Sequence, residues 1–226
     1  MNQINHVAVI MDGNGRWGLK KKGSRNYGHL QGIKAVETTI KAAAKNKIPF
    51  LTLYTFSTEN WQRPESEINF LFDLIRKYLN RKLKTIIKRG IKINIIGKKR
   101  GLPNDIIKTI KVIEKKTFTN KIITINLALN YGSKEEIVNA CKRLNKRKIK
   151  VINVKNFEKK LYTKNIPDPE ILIRTGGNKR LSNFLLWQLA YSEIFFLDKM
   201  WPDFNEKDFD GILRKFDKIK RNFGKI

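Results

Sequence analysis

The chain has 226 residues, 41% of them hydrophobic, which suits one sizeable globular domain spanning 1–226 rather than two. No apolar stretch approaches the roughly 18 uninterrupted residues of a membrane span, and no basic, apolar signal pattern precedes the first strand-like run, so a cytoplasmic protein is expected. The formal charge of +28 is compatible with nucleic acid, an anionic membrane surface or small anionic substrates; because 35 of the 48 basic residues are Lys, scattered along the chain, it reads as a compositional bias and names no partner.

Strand and helix patterns alternate from end to end. Val7 to Met11 forms an apolar run, stopped by Asp12 and followed by Gly13, Gly15 and Gly18. The segment after Gly18 reads as a basic loop, with convincing helix from 29 to 45. A strand at Phe50 to Phe56 leads through Ser57, Glu59, Asn60, Trp61 and Arg63 into a long helix at 65 to 88, which Gly90 can end. A strand at Ile91 to Ile96, a helix at 103 to 117 and a strand at Ile122 to Leu129 follow. Ser133 and Glu136 fit a capping box for a helix at 134 to 145. Strands at Ile171 to Arg174 and Ile194 to Leu197 flank a helical pattern at 183 to 191, with Ser182 as its cap, and a last helix covers 206 to 219. Repeated strand-helix-strand units imply an α/β domain with a mainly parallel sheet and helices on both faces.

In such sheets ligands bind beyond the carboxyl ends of the strands. Gly13, Gly15 and Gly18 satisfy the spacing of a dinucleotide fingerprint, G-x-G-x-x-G. That reading requires a helix within the glycines and an acid ending the second strand; the basic loop and Ser57 fail both conditions. The glycines then suggest a backbone nest for a phosphate. Asp12 beside such a nest either makes a turn or anchors Mg²⁺, which is held by one or two carboxylates together with substrate phosphates and water. One cysteine and two histidines leave oxygen as the main ligand for any metal. Arg16, Arg25, Arg63, Arg174 and Arg180 lie in loops or at a strand end. Each alone suits a solvated surface, whereas together on one sheet edge they favour more than one phosphate group.

The blocks His6 to Trp17, Gly28-His29, "LTLYTFSTENWQRP" at 51 to 64, "LNYGSKEEI" at 129 to 137, "ILIRTGGNKRLSNFLLWQLAYSE" at 171 to 193 and "WPDF" at 201 to 204 resemble the cis-prenyltransferases, bacterial undecaprenyl diphosphate synthases above all. The resemblance runs from about residue 5 to residue 224. It implies a homodimer with a six-stranded sheet and a hydrophobic tunnel, adding isopentenyl diphosphate to an allylic diphosphate such as farnesyl diphosphate, with Mg²⁺ as cofactor. By the same resemblance, Asp12 contacts the metal and assists departure of the allylic diphosphate, with Glu193 as a second acidic metal contact. Gly13, Asn14, Gly15, Arg16, Trp17, Arg25 and His29 form the allylic site. Arg174, Arg180 and Ser182 hold isopentenyl diphosphate. Ser57, Glu59, Asn60, Trp61 and Arg63 form a loop that orders over the substrates, with Asn60 assigned to catalysis. Asn178, Lys179 and the tail from Arg221 to Gly224 depart from the usual family pattern.

In the helix at 65 to 88, Ile68, Leu71, Phe72, Ile75, Leu79, Leu83 and Ile86 form one apolar stripe, and Phe70, Leu74 and Tyr78 form a second. One stripe buries a helix, and the second either lines the tunnel or packs on another helix. Two rival readings are a nucleic-acid-binding protein, suggested by charge, and a non-catalytic partner subunit. No recognisable nucleic-acid module supports the first, and the presence of Asp12, Arg16 and Arg180-x-Ser182 argues against the second. Peripheral contact with an anionic membrane, where an insoluble product leaves, is compatible with the basic surface.

Overall fold

The computed structural model describes residues 3–146 and 152–222. In chain order it contains β1 (His6–Ile10), α1 (Asn14–Lys22), α2 (Arg25–Lys45), β2 (Phe50–Ser57), α3 (Glu65–Lys88), β3 (Ile91–Ile96), α4 (Asn104–Lys116), β4 (Ile123–Tyr131) and α5 (Ser133–Lys146). After these come α6 (Val154–Glu158), β5 (Ile171–Arg174), β6 (Glu193–Phe196) and α7 (Glu206–Asp217). Short 3₁₀ turns cover Thr58–Gln62 and Trp201–Asp203. The six strands form one sheet in the order β3-β4-β2-β1-β5-β6. Every neighbouring pair is parallel.

The inner strands form because they are nearly continuous apolar runs buried on both faces, as a parallel sheet requires, while β6 at the sheet's edge is only partly buried. Along β1, Val7 and Val9 enter one core with Leu51, Leu53 and residues of α2, α3, α4 and α7. Ala8 and Ile10 face the opposite core, built with Leu172, Phe184, Leu185 and Leu189. The period-two alternation thus divides one strand between two layers. The sheet's carboxyl edge collects the ends of β1, β2, β4 and β5.

Two segments depart from the sequence expectations. The segment after Gly18 belongs as far as Lys22 to helix α1, which starts at Asn14, and not to a basic loop, and α2 begins at Arg25 rather than near His29. Two glycines and three lysines give α1 little amphipathic signal, so its stability comes from packing on α2. A Cβ on Gly18 would strike the backbone of Ser24 and Gly28, and one on Gly28 would strike the Asn14 carbonyl. Ser24 caps α2 by accepting from the Tyr27 N–H. The helix-within-glycines condition is therefore met after all, and what still separates this site from a dinucleotide fold is Ser57, rather than an acid, at the end of β2.

The expected helix at 183 to 191 is a chain of turns, with Ser182, Asn183 and Leu185 at positive φ. Long-range bonds override its apolar period. The Asn183 carbonyl accepts from the Ser133 N–H at 2.8 Å, its side chain accepts from the Lys134 N–H at 2.8 Å, and Ser133 Oγ accepts from the Leu186 N–H at 2.9 Å. Ser133 is thereby taken out of the expected capping box. Glu136 instead accepts from the Tyr131 hydroxyl, the Tyr162 N–H and the Gln188 amide. Gly90, at φ 64° just beyond α3, does end that helix.

A buried polar chain crosses the sheet. Asn94 donates to Asn126, Asn126 donates to Thr52 Oγ1, and His6 Nε2 lies 2.6 Å from the same hydroxyl. His6 Nδ1–H donates to the Pro167 carbonyl at 2.6 Å, so Nε2 is the acceptor and the ring is neutral. Burial pushes the His6 pKa down to about 4, against the weaker opposing effect of the Pro167 bond. The unfolded chain binds a proton there that the fold refuses. Stability is therefore expected to fall as pH drops from about 6.5 towards 4, with His6 alone contributing about 3 kcal/mol over that window. Urea midpoints measured against pH check this, and His6→Gln should flatten the slope.

Candidate active site

Asp12 leaves the end of β1 and receives donors on both carboxylate oxygens. Oδ1 accepts from the Gly13 N–H at 2.6 Å and from Arg16 at 3.3 Å. Oδ2 accepts from Arg174 at 2.9 Å and from the Asn178 amide at 2.8 Å. Burial alone would push this carboxyl up, but Asn178, Arg174 and Arg16 outweigh it and hold the group below the usual carboxylate value. The Asp12 carbonyl is fixed as well, accepting from the Thr175 hydroxyl and the Trp201 N–H. Sequence reasoning marks Asn178 only as a departure from the family pattern and gives Thr175 no role.

Arg174 is only 3% exposed, at the end of β5. Besides Asp12 it donates to Ser182 Oγ at 2.7 Å and to the Arg180 carbonyl, which folds the 174–182 loop around it. Its Nε–H is buried without a protein partner. Arg16 also donates to the Gly176 carbonyl at 2.6 Å, closing α1 onto the same loop.

On the opposite rim, two guanidinium groups and an imidazole meet one acid. Glu67 accepts from Arg25 Nε at 2.9 Å, from Arg63 at 3.0 Å, and lies 3.2 Å from His29 Nε2. Burial alone would raise the Glu67 carboxyl, but Arg25 and Arg63 hold it down. Burial, then the Arg63 charge, lowers His29, with Glu67 opposing. Glu67 has no sequence signal that separates it from Glu65 two residues earlier; only the packing of α3 against α2 selects it.

The glycines act differently from a simple nest. Gly13 takes φ 103° at the start of α1, where its N–H serves Asp12. A Cβ on Gly15 would come within 2.7 Å of the Arg25 guanidinium, so its absence seats that side chain. The α1 N-terminus has no side-chain cap, leaving its first-turn amides for an anion.

A cavity of about 820 Å³ connects these groups to the core. Asp12, Asn14, His29, Ser57, Glu59, Asn60, Arg63, Arg174, Arg180 and Ser182 line its polar end. Ile33, Val36 and Ile40 of α2, Leu71, Leu74 and Ile75 of α3, and Ile93, Ile125 and Leu127 of the sheet line an apolar stretch of it, and Glu37, Lys41, Lys82, Thr85 and Arg89 face it as well. Of the second stripe on α3, Leu74 and Tyr78 reach the cavity.

Other expected site residues have separate positions. Asn60 Oδ1 accepts from the Ser57 N–H at 3.1 Å, so it shapes the loop as well as facing the cavity. Glu59 accepts from Asn183 at 2.8 Å. Trp17 stacks on Tyr27 and Trp61 donates to Asn130 while packing on Phe56 and Phe72; neither lines the cavity. Glu193 does not join Asp12 within this chain. It begins β6, in register with Ile171 and hence with Val7, about 16 Å down the strands from Asp12. Its carboxylate lies 3.8 Å from Arg221, and the rest of that tail, from residue 223, lies outside the described residues. Among the described residues no group of three His, Cys, Asp or Glu side chains is arranged to hold a metal.

A family model described as putative undecaprenyl diphosphate synthase matches residues 10–224. The chain belongs to this family of cis-prenyltransferases. Isoprenyl transferase from Fusobacterium nucleatum is 42% identical over 98% of this chain and 96% of its own. A ditrans,polycis-undecaprenyl-diphosphate synthase from Pasteurella multocida, named as (2E,6E)-farnesyl-diphosphate specific, is 44% identical over 97% of this chain and 94% of its own. Lavandulyl diphosphate synthase from Lavandula x intermedia, in complex with dimethylallyl diphosphate, matches with a TM-score of 0.94 at 33% identity and covers 98% of each chain. The family expected from the motif blocks is the family found.

In this cis-prenyltransferase, Glu67→Gln removes the carboxylate that supports protonation of His29 while Arg25 and Arg63 remain. The His29 titration followed by NMR is therefore expected to move further down than in the unsubstituted protein.

Proposed function

We propose that the transferase condenses isopentenyl diphosphate units with an allylic primer, farnesyl diphosphate, giving a long cis-polyprenyl diphosphate. We assign undecaprenyl diphosphate, a precursor of the lipid carrier for cell-wall synthesis, as that product, in keeping with the names of the relatives. The observation that carries the reading is one cavity in which the guanidinium groups at the strand ends adjoin a long stretch of aliphatic side chains. Such a chamber suits a diphosphate head joined to a hydrocarbon tail.

Two anion positions are available. Arg174, Arg180 and Ser182 suit isopentenyl diphosphate, and the partnerless Arg174 Nε–H supplies a donor without breaking an existing bond. The α1 N-terminus with Gly13, Asn14, Gly15, Arg16, Arg25 and His29 suits the allylic diphosphate, whose arrival displaces Glu67 from its cations. In the reaction the isopentenyl alkene forms a carbon–carbon bond to the allylic C1, the C1–oxygen bond breaks, and a proton leaves the isopentenyl carbon. Charge grows on the departing diphosphate, so donors fixed around it stabilise the transition state more than the ground state. Aligning the alkene is a positioning task for the Ser57 to Arg63 loop, which also excludes water.

The donor set suits Mg²⁺: Asp12 is ionised and faces the cavity beside cations suited to phosphate oxygens, which matches an ion shared by one carboxylate, a diphosphate and water. When bound, the ion would neutralise charge on the diphosphate. Asp12 would exchange internal donors for it, while Arg174 and Asn178 keep the carboxylate oriented.

We also propose a homodimer and peripheral contact with anionic lipid. No described helix is long and apolar enough to cross a membrane. Sedimentation at twice the monomer mass and activity that rises with anionic but not neutral vesicles would support these; a monomer, or indifference to lipid charge, would remove the respective proposal.

The test of function is incorporation of labelled isopentenyl diphosphate onto farnesyl diphosphate with Mg²⁺, followed by product sizing. Asp12→Asn, which keeps an oxygen acceptor for Arg174, is expected to lower kcat by about 100-fold or more while the fold persists. Leu74→Trp should shorten the product, because the indole would enter the apolar part of the cavity. Strong, salt-dependent RNA binding without any incorporation would instead favour a nucleic-acid-binding protein.

A further inference from the structure

Exposed apolar side chains and unpaired cations gather at one corner of the sheet, on the edge opposite the site. Lys92 is in register with Thr124, Thr124 with Phe50 and Phe50 with His6, so this corner lies about 20 Å along the strands from Asp12. Two segments meet there, 84–92 at the end of α3 and the start of β3, and 115–122 between α4 and β4. The Ile122 N–H donates to the Gly90 carbonyl at 3.0 Å, the Asn120 amide to the Ile91 carbonyl at 2.7 Å, and the Ile93 N–H to the Thr117 hydroxyl at 3.1 Å. Around these bonds stand three apolar side chains that the core does not take: Phe118 is 69% exposed, Ile122 64% and Ile87 39%. One exposed apolar residue is ordinary, whereas three on one bonded corner form a patch. The same two segments contain seven Lys and Arg and no Asp or Glu. Lys92 Nζ lies 4.9 Å from the centre of the Phe118 ring, and among the described residues none of these cations is paired with a carboxylate. Lysines elsewhere do find acids, as Lys45 does with Glu206 and Lys199 with Asp208.

We propose that this corner is the surface on which the protein lies against an anionic bilayer, with Phe118, Ile122 and Ile87 entering the headgroup region and the surrounding Lys and Arg meeting lipid phosphates. The inference deepens the peripheral contact proposed above and rests on it. A cluster of cations without acids is complementary to an anionic leaflet, and each cation near that surface adds to the attraction. The apolar tips favour lipid over a nucleic acid, whose phosphates would use the cations but leave Phe118 and Ile122 in water. The orientation that results is consistent with the rest of the molecule. Ile86, Arg89 and Ile91, which border the patch, also line the main cavity, so the part of the cavity remote from Asp12 comes to lie next to the bilayer. The anion-binding groups at the carboxyl edge of the sheet then face water, where diphosphates dissolve.

Cosedimentation with vesicles of phosphatidylcholine mixed with phosphatidylglycerol, and with phosphatidylcholine alone, tests this. The unsubstituted protein should bind the mixed vesicles. Phe118→Ser with Ile122→Ser, and separately Lys116→Gln with Lys121→Gln, should each weaken that binding by about tenfold or more. Lys207→Gln with Lys215→Gln removes the same charge from exposed positions of α7 and should leave binding within about twofold. Incorporation of isopentenyl diphosphate without vesicles should stay within about twofold in all three double variants, which shows that they are folded. Phe118→Gln alone carries the apolar arm of the test if Phe118→Ser with Ile122→Ser does not fold. Equal losses in the α7 variant and the patch lysine variant overturn the inference, since the charge of the whole chain would then be the cause. Loss with the lysines but not with Phe118 and Ile122 also overturns it, because cations alone would then hold the phosphates. A protein that does not bind anionic vesicles at all overturns the peripheral contact, and this inference with it. Normal binding by the unsubstituted protein and by both patch variants overturns this inference alone.

Discussion

The contact between Asp12 and Arg174 organises the active end of the molecule. A guanidinium as buried as that of Arg174 must be paired, and its partner is Asp12, the first charged residue beyond β1. Pairing them fixes the ends of β1 and β5 against each other. The same two residues then gather the start of α1 through Gly13 and Arg16, the 174–182 loop through Ser182 and Asn178, and the Trp201 turn through the Asp12 carbonyl. A bond that stabilises the fold thus also sets the geometry of the site.

The opposite rim follows the same constraint with a different acid. Arg25 and Arg63, with the His29 imidazole between them, point into one partly buried place, where the two guanidinium charges repel unless an anion lies among them. Glu67 supplies that anion in the free protein, holding the cations in the arrangement a diphosphate can take over. In a chain of net charge +28, carboxylates at these positions matter more than further cations. Cationic side chains are abundant, and oriented ones require a paired acid.

The strands were legible because each is a short, continuous apolar run, and their burial on both faces leaves little choice of element. Helix α3 was equally legible, having a strong apolar stripe over its full length and Gly90 just beyond it. Residues 14–22 give no helical signal because Gly15, Gly18 and three consecutive lysines carry no apolar period; the helix exists through backbone packing on Gly28. Residues 183–191 mislead for the opposite reason. Their apolar period suits a helix, yet bonds from Ser133, Lys134 and Leu186 hold the segment in turns with positive φ. In both cases a contact distant in sequence decided the local conformation.

By itself the sequence determined the α/β class, the family and most of the polar groups at the strand ends, because strand composition and ordered motif blocks are local properties. Tertiary structure alone decided which acid faces which cation. It put Glu67 rather than Glu65 among Arg25, His29 and Arg63, and sent Asn178 to Asp12. It also separated Glu193 from Asp12 by the length of the strands, although both flank strands in the sequence. Whether a residue stands at the beginning or the end of a strand chooses the edge of a parallel sheet it occupies, and a shift of a few residues in that boundary moves a side chain from the site to the opposite side of the molecule.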